Sequence, residues 1–272
     1  MKLRSALLFA LMPIIAFARS FVPLHVIRGY PIVEQVYIDN SGPYRFLVDT
    51  GTQSSAVRSD LAGKLKLRPG YRIEVATNAG SHTMVATIAN RVSLGSKSVE
   101  RVELAVYDLA GVRSLDRGIQ GVLGQNFLSH FNYLLDYRSR RLIFDAAVPN
   151  GDRIEFERIA ERPAIKAVRE GESLRLVLDS GSSDLILFTD RTEGRDAMAH
   201  ARLTAAASQR CIRMSRAAEL SVGAEVMRNV VAGFAPRDPV RLEDGLLPTS
   251  LFSAIYFNNK ESFVILNATL PW

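Results

Sequence analysis

The sequence predicts an all-β chain of two similar β-rich lobes with a few short helices, and three observations carry that prediction. Short apolar segments rich in Val, Ile, Tyr and Phe recur along the chain, broken by Gly, Asn and Ser, which is the pattern of strands and turns. Two heptapeptides share one layout, Phe46-Leu47-Val48-Asp49-Thr50-Gly51-Thr52 and Leu176-Val177-Leu178-Asp179-Ser180-Gly181-Ser182, and lie 130 residues apart. The composition is that of an ordinary folded protein, 47% apolar and 23% charged over 272 residues, which excludes disordered, collagenous and coiled-coil chains. Cys211 stands alone, so no internal disulfide can form and packing must hold the core.

The first residues do not belong to the fold. Lys2 and Arg4 form a positive end, Ala6 to Ala18 is a charge-free apolar run, and Ala16-Phe17-Ala18 closes it with small residues where a signal peptidase reads. The run is too short to span a bilayer comfortably and holds Pro13, so a cleaved secretory signal is expected over 1–18. No Cys follows it, which excludes a lipoprotein anchor. The product is then exported, periplasmic or secreted from a bacterium, with no integral span after cleavage. Two of the basic residues behind the formal charge of +6 leave with the leader. The remainder is close to neutral, and no nucleic-acid partner is expected.

In the first half, strands are expected at Pro31–Ile38, Tyr44–Val48, Arg72–Thr77, Thr83–Ile88 and Val99–Tyr107, with counterparts in the second. Helical pattern is confined to Ser59–Leu67, Gln125–His130, Thr249–Ala254 and Asp196–Ser208. Landmarks recur in the same order at nearly the same spacing: Leu94-Gly95 answers Val222-Gly223, and Gly121-Val122-Leu123 answers Gly245-Leu246-Leu247. Val148-Pro149-Asn150-Gly151-Asp152 is a turn cluster without apolar pattern. The expected organisation is a leader at 1–18, one lobe at 19–149 and a second at 150–272.

An apolar strand ending in Asp-small-Gly delivers a carboxylate where a buried element emerges. Gly permits a tight turn and leaves its N–H near the carboxylate, and the hydroxyls of Thr52 and Ser182 are placed to donate to it. One such site is usually a structural cap, but two D-[ST]-G-[ST] matches should arise in a chain this long about once in ten thousand times. If the lobes pack about a pseudo-two-fold axis, Asp49 and Asp179 face one another. Two carboxylates so close share one proton. A water between them can be deprotonated by one as it attacks a carbonyl, while the other, protonated, hydrogen-bonds the carbonyl oxygen. That is amide hydrolysis without metal, cofactor or covalent intermediate.

These residues resemble the aspartic proteases of pepsin and retropepsin type, and the halves look more like retropepsin subunits than pepsin lobes, which implies that each lobe is a β-barrel. The resemblance rests on the two Asp loops and on Val122-Leu123-Gly124. It implies that Asp49 and Asp179 are the catalytic pair, and that Thr50, Gly51, Thr52, Ser180, Gly181 and Ser182 support the loops. Thr50 and Ser180 would reach across to the opposite lobe. It further implies a monomeric unit that holds an extended peptide or protein substrate between the lobes. Val75 to Met84, centred on Asn78-Ala79-Gly80-Ser81, stands where a substrate-covering flap is expected, without the flap Tyr of pepsin-like enzymes. Ala- and Arg-rich sequence occupies the matching region of the second half, so a single flap is expected. The second half also reads Leu246-Leu247-Pro248 where the first has Val122-Leu123-Gly124.

Rival chemistries lack their residues. His25, His82, His130 and His200 are scattered without H-E-x-x-H, so no metal is expected, and His82 reads as a solvated loop residue. There is no G-x-S-x-G, and Gly95-Ser96-Lys97 lacks the upstream glycine of a phosphate loop. Cys211 reads as a small buried residue. Arg191 to Arg216 reads as a solvated helix face, because no aromatic residues interleave with its charges. Asn267-Ala268-Thr269 reads as terminal strand. The alternative from another class is a catalytically weak or inactive module of the same fold that binds peptides or polymers in the cell envelope.

Overall fold

The computed structural model describes residues 21–77, 80–189, 199–205, 208–239 and 241–270. The expected leader lies outside them. In the first half the strands are β1 (Val22–Pro23), β2 (His25–Ile27), β3 (Tyr30–Ile38), β4 (Ser41–Val48), β5 (Ser55–Arg58), β6 (Tyr71–Thr77), β7 (Gly80–Leu94), β8 (Lys97–Tyr107), β9 (Gly121–Leu123), β10 (Tyr133–Asp136) and β11 (Arg141–Phe144). The helices are α1 (Ser59–Lys64), α2 (Ala110–Leu115) and α3 (Gln125–Leu128). The second half contributes β12 (Arg153–Glu155), β13 (Glu157–Ile159), β14 (Arg162–Arg169), β15 (Glu172–Asp179), β16 (Leu185–Phe188), β17 (Ala199–Ala205), β18 (Ser208–Val222), β19 (Glu225–Ala235), β20 (Gly245–Pro248), β21 (Ala254–Asn258) and β22 (Phe263–Leu266). A single 3-10 turn, Thr249–Leu251, stands where the sequence predicts a helix over Thr249–Ala254. None of these helices is long and apolar enough to cross a membrane.

The strands form three sheets. One eight-stranded sheet runs β2-β3-β4-β9-β5-β8-β7-β6 and is joined back on itself by β3–β7. The other runs β13-β14-β15-β20-β16-β19-β18-β17 and is joined back by β14–β18. Both therefore follow the same strand order with the same closing pair. The third sheet, β1-β11-β10-β21-β22-β12, takes three strands from each half. At its centre β10 pairs β21, with Tyr133 opposite Phe257 and their rings stacked 4.8 Å apart. Every residue of β10 and β21 is buried, which is why both are apolar up to their last residues, Asp136 and Asn258, rather than alternating. The main core cluster is continuous across the halves, joining Phe46, Val48 and Leu123 to Leu178, Leu247 and Phe257.

The second half departs from expectation between 199 and 222. Instead of a helix over Asp196–Ser208 and a solvated helix face, its described residues form the β17–β18 hairpin. That hairpin has strands of 7 and 15 residues, the same lengths as β6 and β7. Strand pairing overrides the helical preference of its Ala and Arg residues. Helix α2 was not signalled in the sequence; it lies against β17 and β18 of the other half.

Candidate active site

Each Asp loop grows from a buried parallel pair. Strand β4 pairs β9 with Val48 opposite Leu123, and the Asp49 N–H continues the ladder to Leu123 O at 2.9 Å. In the other half β15 pairs β20 with Asp179 opposite Pro248. The carboxyls therefore stand at the ends of strands whose apolar residues are locked in the core, Val48 and Leu178 being wholly buried.

Beyond the strands the loops interlock. Thr50 Oγ1 donates to Leu178 O at 2.7 Å and accepts from the Ser180 N–H at 3.0 Å. Reciprocally, Ser180 Oγ donates to Val48 O at 2.7 Å and accepts from the Thr50 N–H at 2.9 Å. Thr50 and Ser180 are wholly buried, so the four bonds form without competing water. Gly51 N–H donates to Asp49 Oδ1 at 2.9 Å, and Gly181 N–H to Asp179 Oδ1 at 2.7 Å.

These glycines are needed for space rather than for the turn. Neither adopts a positive φ, but a Cβ on Gly51 would overlap the Asp179 carboxyl, and one on Gly181 would overlap that of Asp49. Each carboxyl thus rests against the other loop's glycine, and each shifts the other's titration. The Thr52 and Ser182 hydroxyls do not serve them as the sequence predicts. They donate forward to Ser54 O (3.4 Å) and Asp184 O (2.8 Å).

Burial pushes the Asp49 carboxyl well above the usual range, and the charge of Asp179 pushes it further. Asp179 rises to about 6, again through burial, opposed by the Gly181 N–H and the positive charge of Arg162. Both shifts favour the protonated form, as is expected where two close carboxyls compete for one proton. Tyrosines surround it. Burial, and then the Asp49 charge, raise the Tyr107 phenol. Tyr137 shares a 2.6 Å hydrogen bond with Thr249, and Tyr30 reaches Ser183 of the other half at 3.4 Å.

Several supports escaped the sequence reading. Gln125 Nε2 donates to Thr50 O at 2.8 Å, holding the first Asp loop from α3. Ser55 Oγ accepts from Gly124 N–H at 3.0 Å and donates to Asn126 Oδ1 at 2.6 Å. In the second half the matching positions carry Leu185 and Pro248, as the registers Ala56↔Val122 and Ile186↔Leu246 show. Proline has no N–H to satisfy, and a buried leucine replaces the hydroxyl that would have satisfied it. Pro248 is thus matched by Leu185 rather than left as a defect.

Of the expected flap, β6 and β7 close with Thr77 opposite Gly80 and Ala76 opposite Ser81, while Asn78 and Ala79 lie outside the described residues. The expectation of a single hairpin is corrected by β17–β18, which closes with Ala205 opposite Ser208.

Compared with known proteins, residues 34–127 match a family whose description is aspartyl protease. No curated protein matches the chain.

Proposed function

Residues 34–127 belong to the aspartyl protease family, and from that premise we propose that the chain is an aspartic endopeptidase with Asp49 and Asp179 as its catalytic pair. The single observation that carries the reading is the reciprocal loop interlock. It brings two carboxyls, Asp179 buried and Asp49 partly buried, from positions 130 residues apart to one point and fixes them with backbone N–H donors. Two lobes of the same strand order, related by a pseudo-two-fold axis through the loops, leave a cleft for an extended peptide. Water held between the carboxyls attacks the scissile carbonyl. The ionised carboxyl takes its proton while the protonated one hydrogen-bonds the developing oxyanion, and the proton passes on to the leaving amine. The hairpins β6–β7 and β17–β18 act as two flaps, the second reaching α2 across the cleft. A leader at 1–18 directs export.

The mature protein incubated with a random peptide library across acidic to neutral pH, with new termini read by mass spectrometry, tests this proposal. Cleavage that Asp49→Asn abolishes, with the circular dichroism spectrum unchanged, is the expected result. Cleavage by that variant at the parental rate refutes the assignment. Peptide binding with no new termini at any pH marks a binding module of the same fold.

A further inference from the structure

The two halves present unlike side chains at equivalent places beside the Asp pair. In the first sheet Ile32 stands opposite Leu47, and in the second Ala164 stands opposite Val177. Leu47 and Val177 each precede their Asp by two residues, so Tyr30 and Arg162, two residues before Ile32 and Ala164, occupy matching positions. Likewise Gly121 pairs Phe46 and Gly245 pairs Leu176, which makes Ile119 the counterpart of Glu243.

On the first side these places belong to an apolar wall. Ile119 is wholly buried in a cluster with Leu47, Leu109 and Val122, and Tyr30 and Tyr107 pack on it. On the second side the same places hold charges. Arg162 faces the Glu243 carboxylate with both terminal nitrogens, at 3.3 and 3.0 Å, and Arg241 adds a third bond at 2.7 Å. Glu243 is 2% exposed and Arg162 17%. Two guanidiniums share this one carboxylate, and Asp238 supplies a second negative charge near Arg241. Among the described residues three of Arg162's N–H groups are used, the third by Ile159 O at 3.1 Å, of the five a guanidinium carries. Among the described residues no hydrogen bond joins it to Asp49 or Asp179, yet its charge lowers the titration of both. A partly exposed cation with donors to spare therefore stands within electrostatic reach of the reacting carboxyls, on one side only.

Resting on the proteolytic reading above, we propose that the second lobe's subsite selects an acidic side chain, Asp or Glu, on one side of the scissile bond. Arg162 is its specificity-determining residue. The first lobe's subsite takes an apolar side chain on the other side. Glu243 and Arg241 hold the Arg162 guanidinium flat and fix which N–H groups face the cleft. A substrate carboxylate then gains charge-assisted bonds that an amide of the same shape does not.

Peptides identical except for Glu, Gln or Leu at each residue flanking the bond test this. Cleavage is read as kcat/KM, and binding to Asp49→Asn as fluorescence anisotropy. Glu should beat Gln by about tenfold at one flanking position only, and Arg162→Gln should remove the difference while Arg162→Lys keeps part of it. Equal handling of Glu and Gln at both positions by the parental protein overturns the inference, whether or not Arg162→Gln folds. A Glu preference that survives in folded Arg162→Gln overturns the assignment to Arg162. Absence of all cleavage with a Glu preference in binding sinks the proteolytic reading and leaves the subsite standing.

Discussion

The interlock of the two Asp loops gives a prediction whose size can be worked from the structure. Thr50→Val keeps the side-chain shape and removes one oxygen. Two hydrogen bonds go with it, at 2.7 and 3.0 Å, leaving Leu178 C=O and Ser180 N–H short of a partner. Thr50 is 0% exposed, so no solvent replaces the hydroxyl. Each orphaned buried group costs about 1–3 kcal/mol, and the carbonyl's second lone pair moderates its share, so the variant should lose about 2–4 kcal/mol. For a chain of this size that is a fall of roughly 5–15 °C in Tm. Thr50→Ser is the control: it keeps the hydroxyl, as Ser180 does in the other half, and should cost no more than about 1 kcal/mol for one methyl group. Urea denaturation followed by circular dichroism measures all of this without knowledge of a substrate. Thr50→Val within about 0.5 kcal/mol of Thr50→Ser would refute the claim that these bonds hold the loops together.

The remaining predictions concern the proton and the proline. Both aspartates bind protons more readily than free carboxyls, Asp179 at about 6 and Asp49 well above the ordinary carboxylate range. The single-proton form is then lost to double protonation as pH falls through about 6, and peptide hydrolysis should fall with it; an acidic limb near ~4, the value of an unperturbed carboxyl, refutes the burial argument. Raised pKa values favour the folded state at low pH and lose that contribution as pH rises through the folded values. Asp49→Asn should therefore raise Tm more at about pH 8 than at about pH 5, as calorimetry would show. Pro248→Gly exposes a buried N–H to Leu185 instead of to a hydroxyl and should cost about 1–3 kcal/mol. Leu185→Ser should cost more alone yet recover part of the loss in the double variant. A cycle with no coupling would show that the two positions are independent.

What the sequence disclosed depended on how locally each feature is built. The Asp loops are legible because strand end, carboxylate, hydroxyl and glycine follow one another, and their repetition at equal spacing announces the second sheet. The reason for Gly51 and Gly181 is not local. It is the other loop's carboxyl, which comes from 130 residues away, and so a turn is the natural but incorrect reading. The hydroxyls of Thr52 and Ser182 mislead in the same manner, since adjacency in sequence does not show which way an oxygen points. The β17–β18 hairpin is hidden because its Ala and Arg residues favour helix, whereas its strands are set by backbone ladders to each other and to β19. Ser55 with Gly124, Leu185 with Pro248, and Arg162 with Glu243 are pairs separated by most of a lobe. Only strand pairing brings them together.

The central pairing of β10 with β21 bears on how the chain must be made. As the polypeptide is synthesised from its N-terminus, β10 emerges with β11 on one edge, and its other edge stays bare until β21 appears near the end of the chain. That edge belongs to a strand whose first three residues, Tyr133, Leu134 and Leu135, are apolar, the kind of template that recruits a stranger. Closing the central sheet is thus a late event that requires nearly the whole length. A chain stopped between β11 and β12 carries a bare strand edge instead of a finished lobe, and its nearest suitable mate is another copy of itself.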